Sequence, residues 1–118
     1  MFKVIFYETK SGESPVWDML EELRKKGATN KNARIQHKQI AFYIQQLQDN
    51  GNRLSTDIAK HLDEDIWELR PGGNRILYFF FKDNTFVLLH AFPKKTQTTP
   101  PREIAKAKAE RNDWISRH

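Results

Sequence analysis

No cysteine occurs among the 118 residues. That excludes a disulfide framework, a thiolate zinc site, an iron–sulfur cluster and a thiol nucleophile. Long apolar runs are missing too. The longest, Ile76 to Phe81, is six residues, whereas a membrane-spanning helix needs roughly 18 or more. The opening Met1-Phe-Lys-Val-Ile-Phe-Tyr-Glu has too short an apolar stretch for a signal peptide and no small-residue cleavage site. A soluble, cytoplasmic protein with no membrane partner is expected. Glycine is sparse, and Gly72-Gly73 stands alone, so there is no glycine-rich phosphate loop. His37, His61, His90 and His118 are scattered, without metal-site spacing. Asp63-Glu64-Asp65 lacks the spacing of a calcium loop, and no GxSxG element exists to carry a serine triad. No metal or cofactor is implied.

What is present is positive charge, unevenly placed. Residues 1–69 hold 10 basic and 11 acidic side chains, while residues 70–118 hold 10 basic and 4 acidic. The whole surplus of +5 therefore belongs to the second part of the chain. Such a surplus suggests a surface for a polyanion. The length fits a single domain over residues 1–118, since domains run to roughly 100–200 residues.

Periodicity gives the elements. Met1 to Tyr7 alternates and is rich in β-branched and aromatic residues, a strand. Ser14-Pro15 opens a helix that ends at Lys25-Lys26-Gly27, and a second helix runs from about Asn30 to Asn50. Leu54, Ile58 and Leu62 suggest a short helical segment. From Asp65 the pattern turns to strands: Ile66 to Arg70, Arg75 to Lys82 and Thr85 to Phe92, separated by Pro71-Gly72-Gly73-Asn74 and Asp83-Asn84. Thr99-Pro100-Pro101 opens a terminal helix, with Thr99 as its cap. The expectation is an α+β fold, a small antiparallel sheet flanked by helices in the order β-α-α-β-β-β-α.

The strands gather the cations. In a meander successive strands reverse direction, so the end of the first strand, the start of the second and the end of the third lie together. Arg70, Arg75, Lys94 and Lys95 therefore converge at one sheet end, beside Glu68, which shares the face of Arg70. Such a cluster suits a phosphodiester and the extra negative charge of its transition state. Arg75, Lys94 and Lys95 are expected to be exposed there, and Tyr78, alternating opposite to Arg75, to be core.

The stretches Trp67-Glu68-Leu69-Arg70, Arg75-Ile76-Leu77-Tyr78-Phe79, Leu88 to Lys95 and Thr96 to Ile104 together resemble the RelE/ParE superfamily. Among its branches the chain is most similar to the HigB-like toxins of type II toxin–antitoxin systems, phage-derived relatives included. The specific part is Phe92-x-Lys94-Lys95-Thr96-x-x-Thr99-Pro100. The resemblance implies a RelE-like fold and a ribosome-dependent endoribonuclease acting on mRNA in the decoding site. It also implies a cognate helix-turn-helix antitoxin (HigA-like), through which alone operator DNA is bound. Arg75 looks like the arginine set against the scissile phosphate, Lys94 and Lys95 like the cations after the last strand, and Arg70 holds the family's Leu-Arg position. The implied chemistry is attack of the ribose 2′-OH on its own 3′-phosphate, leaving a 2′,3′-cyclic phosphate without a metal.

Acid and base stay open at this level. Glu68 is a base for the 2′-OH or an ion-pair partner. His90 is a proton-transfer group or a core histidine within Leu88–Phe92. Phe92 stacks a base or packs. Arg102, with the other cations of the last helix, grips ribosomal RNA or antitoxin, or stays in solvent. Two other functions also fit the pattern: a ParE-like gyrase inhibitor and a non-catalytic nucleic-acid-binding module.

Overall fold

In the computed structural model, which describes residues 1–118, five strands form one mixed sheet in the order β1-β5-β4-β3-β2. The elements are β1 (Lys3–Phe6), α1 (Pro15–Lys26), α2 (Lys31–Asn50), β2 (Ala59–Asp63), β3 (Ile66–Leu69), β4 (Asn74–Phe80), β5 (Thr85–Pro93) and α3 (Pro101–Arg117), with a 3₁₀ turn at Gly51–Arg53. The α+β class and the flanking helices are as the sequence indicates. β2 through β5 are antiparallel neighbours, and β1 joins the far edge parallel to β5. No helix is long and apolar enough to cross a membrane.

One element is a correction. The segment read as helical from Leu54, Ile58 and Leu62 is instead a loop leading into β2. A register shift between His61 and Asp63 interrupts the two-residue alternation, so Leu62 packs with the opposite cluster from Ile58. A four-residue apolar spacing results without any helix.

The sheet separates two apolar clusters. Val16, Ile40, Leu47, Leu69, Ile76, Tyr78, Phe86 and Leu88 pack under α1 and α2. Tyr7, Ile66, Leu77, Phe79, Val87 and Leu89 pack with Ala107 and Trp114 of α3. Tyr78 is therefore core, and its hydroxyl donates to Asn52 Oδ1 at 2.9 Å. Further bonds fix α3 along its length. Tyr7 Oη donates to Asp113 at 2.7 Å, Lys108 reaches Asp63 at 2.5 Å and Glu64 at 3.2 Å, and Arg111 pairs with Glu64 and Asp65.

A bulge in β5 decides which residues face α3. Leu77 pairs with His90 but Tyr78 with Leu88, leaving Leu89 as the extra residue. Leu89 and His90 then both face α3, and the reset alternation puts Phe92 opposite Arg75.

Candidate nucleic-acid interface

The register Leu69↔Ile76 sets Arg70 beside Arg75, and Arg75 pairs with Phe92. Beyond the ends of these strands, the chain from Lys94 to Thr99 folds back over the sheet. It is clipped at both ends. Lys94 N donates to Gly73 O at 2.8 Å, and Thr99 Oγ1 donates to the Glu68 carboxylate. Thr99 is therefore not the cap of α3. Pro100 holds that place and makes no side-chain cap bond.

Sheet end, loop and the start of α3 enclose a cleft of about 380 Å³. Of the eight residues singled out from the sequence, Glu68, Arg70, Arg75, Phe92, Lys94, Lys95 and Arg102 line it, together with Thr96 to Thr99 and Glu103. His90 does not. It is 2% exposed and lies behind the cleft wall. Its Nδ1 meets Glu110 Oε1 at 2.5 Å and its Nε2 meets Glu103 Oε1 at 3.0 Å. A proton-transfer role in direct contact with a ligand is closed to it by this burial.

The cations are of two kinds. Lys94, Lys95 and Arg102 are exposed and have no ion-pair partner. Arg75 is 7% exposed, which corrects the expectation of a solvated strand end. Its Nη1 donates to Gly72 O at 2.8 Å and Asn74 O at 2.7 Å. Burial presses its guanidinium below the usual arginine range, against the pull of Glu68. Arg70 donates through Nη1 to Thr56 O at 3.1 Å, while its buried Nε has no hydrogen-bond partner. The Glu68 carboxylate sits between the two, with Oε1 3.6 Å from Arg70 Nε and 3.9 Å from Arg75 Nε. Its other oxygen accepts from Thr99, so the carboxylate is held by one hydrogen bond and by the charge of two guanidinium groups.

The turn supporting Arg75 depends on glycine at one point. Gly72 has φ +60°, the left-handed region that glycine enters without strain, and a Cβ there would strike the Gln39 amide of α2. Asn74 Nδ2 adds a bond to Gln36 Oε1 at 3.1 Å. No group of three or more His, Asp or Glu side chains is placed to hold a metal ion.

A family model for phage-derived Gp49-like proteins (DUF891) matches residues 18–112. The chain belongs to that family. Gp49-like proteins lie within the RelE/ParE-like toxin superfamily, a toxin-like group found in toxin–antitoxin contexts. A comparison with curated proteins finds no match. The Gp49-like match spans every cleft residue from Glu68 to Glu103.

Thr99 and Glu103 are cleft residues that the sequence does not single out. Thr99 was assigned to capping, because a Thr before two prolines fits a helix start. Glu103 carries no such mark, since an acid in the first turn of a helix is accounted for by the helix dipole alone. The available signal was the seven-residue spacing of Glu103 and Glu110, which puts both on one helix face.

Proposed function

We propose that this Gp49-like chain is a HigB-type toxin, a metal-independent endoribonuclease that cleaves mRNA in the ribosomal decoding site. The observation that carries the reading is one cleft holding Arg70, Arg75, Lys94, Lys95 and Arg102 against only Glu68 and Glu103. A phosphodiester gains negative charge as the 2′-oxygen attacks, and donors already in place lower that barrier without reorganising. Arg70 and Arg75, fixed by backbone carbonyls, suit the scissile phosphate, since a guanidinium reaches two phosphate oxygens at once. Lys94 and Lys95 suit the incoming strand and the developing charge. Phe92 offers a ring on which a base can stack. Glu68 serves by orienting the arginines. The resemblance to HigB-like toxins supports a cytoplasmic site of action, a helix-turn-helix antitoxin as partner, and operator binding only through that antitoxin.

The test is induction in bacteria with mapping of mRNA 5′ ends. Wild type is expected to give new, codon-phased 5′-hydroxyl ends, and a Lys94→Ala/Lys95→Ala variant none. The lysines are preferable to Arg75 here, because Arg75 also holds its turn. Growth arrest without new ends overturns the nuclease reading in favour of a gyrase-type target. Arrest and cleavage undiminished in the double variant overturn the site.

A further inference from the structure

Cleavage through the 2′-OH needs a proton acceptor, and the cleft contains few. Its threonines and Gln97 are neutral, and Glu68 is 2% exposed, with one oxygen accepting from Thr99 and the other set between two guanidinium groups. Glu103 is different. Its side chain is 18% exposed and lines the cleft from the first turn of α3. Oε1 is held by His90 Nε2 at 3.0 Å, while no bond within the protein engages Oε2. Behind the ring, Glu110 Oε1 meets Nδ1 at 2.5 Å. A neutral imidazole has one donor and one acceptor, so it satisfies one carboxylate; bonding both requires a further proton shared among the three groups. The chain Glu103–His90–Glu110 therefore runs from the cleft wall into the interface of β5 and α3. It fixes the Glu103 carboxylate in one orientation and leaves one oxygen for a ligand.

We propose that Glu103 is the general base of the cleft, with His90 and Glu110 as its positioning residues. This rests on the nuclease reading above and names the acceptor that reading lacks. Glu103 Oε2 takes the proton of the ribose 2′-OH as the 2′-oxygen forms its bond to phosphorus. The bond from phosphorus to the 5′-oxygen breaks, and the leaving oxygen departs with the electron pair and takes up a proton from solvent. The products are a 2′,3′-cyclic phosphate and a 5′-hydroxyl. Glu103 returns its proton to solvent, so acceptor and protein end unchanged. The same arrangement gives His90 a reason to be buried: it restrains the base rather than meeting the RNA.

The test is single-turnover cleavage of mRNA on programmed ribosomes. Glu103→Gln keeps the size of the side chain and an acceptor for His90 but removes the basic oxygen. Its cleavage is expected to fall by about 10²- to 10⁴-fold. Binding of an mRNA carrying a 2′-deoxy residue at the cleavage point is expected to stay within about twofold, on the ground that binding is carried by cations. A substrate with sulfur in place of the 5′-oxygen, which leaves without an acid, is expected to remain slow, because the base is still missing. Cleavage by Glu103→Gln at the wild-type rate overturns the proposal and leaves the nuclease reading standing. No cleavage by wild type overturns that reading and the proposal with it. If Glu103→Gln loses its helical circular dichroism, Glu103→Asp decides. It retracts the carboxylate by about 1 Å, which is expected to slow the step about 100-fold, and a wild-type rate overturns the proposal.

Discussion

The Glu68–Arg75 pair allows a quantitative check on how the cleft is held. Side chains of both are almost sealed, at 3% and 8% exposure, with Oε1 3.9 Å from Nε. At that separation two unit charges attract by about 4 kcal/mol in the effective dielectric near a protein surface. Desolvation opposes this, and Arg75 already spends Nη1 on two carbonyls, so a net coupling of about 2 kcal/mol is expected. Glu68→Gln leaves two guanidinium groups without their counter-charge and is expected to cost about 3 kcal/mol. Arg75→Met loses two carbonyl bonds but no longer buries a cation, and is expected to cost about 2 kcal/mol. The double variant should then cost about 3 kcal/mol, well short of the summed singles. Urea unfolding at neutral pH with a common slope measures all three, and a 2 kcal/mol coupling moves the midpoint by roughly 1–2 M. Additivity within about 0.5 kcal/mol would refute the placement of Glu68 as the counter-ion that orients the arginines.

Five further outcomes follow from the same contacts. Lys94→Ala/Lys95→Ala should leave the urea midpoint within about 0.5 kcal/mol, since both side chains are exposed. In the same variant, the slope of log affinity against log salt for RNA should fall by about 1.4, for two lost phosphate contacts on a single strand; an unchanged slope would remove the lysines from the interface. Gly72→Ala should cost about 1–3 kcal/mol, because an L side chain is strained at φ +60° and the turn carries Arg75; a neutral effect would mean the turn relaxes freely. Lys108, Arg111 and Arg117, by their hydrogen bonds, hold Asp63, Glu64 and Asp113 below the usual carboxylate range. A lowered folded-state pKa gives stability that is complete above the unfolded value near pH 4 and lost as pH falls through the folded one. The loss between pH 5 and 2 should shrink when all three are made amides, and urea midpoints across that range check it. Tyr7, raised to about 12 by burial and by its bond to Asp113, works at the other end. Its contribution is complete below the unfolded value near 10 and lost as pH rises through 12, and Tyr7→Phe should flatten the alkaline decline.

Where contacts are local, the sequence was readable. α1 and α2 follow from apolar stripes between a proline start and glycine stops, and β3, β4 and β5 from alternation between short turns. The convergence of Arg70, Arg75, Lys94 and Lys95 needed only the reversal of neighbouring strands. What escaped depends on pairings far apart in the chain. β2 was hidden by its own register shift at Leu62. The parallel seat of β1 beside β5 has no local signature, because its partner lies some eighty residues away. The burial of Arg75 comes from a later loop folding back to Gly73 and Glu68, and nothing at Arg75 itself announces that. His90 lies in a run with core character, but the bulge that turns it toward α3, and so to Glu103 and Glu110, is visible only in the register.

The pairing pattern also changes the meaning of the net charge. The second part of the chain carries the surplus, yet Lys108, Arg111 and Arg117 are neutralised by Asp63, Glu64, Asp65 and Asp113 at the far end of α3. Lys94, Lys95 and Arg102 have no such partners and lie at the near end. The positive end of the α3 dipole lies on the same side. Acids therefore cancel the cations that dock α3, while at the cleft Glu68 alone faces Arg70 and Arg75, and Lys94, Lys95 and Arg102 stay uncancelled. Under the proposed function the two kinds of cation divide the work. Prolines at 93, 100 and 101 frame the loop that carries the lysines, limiting how far exposed charges wander while a strand arrives. Beneath them Arg70 and Arg75 are locked by backbone carbonyls, so that in the proposed reaction the charge developing at phosphorus would meet donors that need not move.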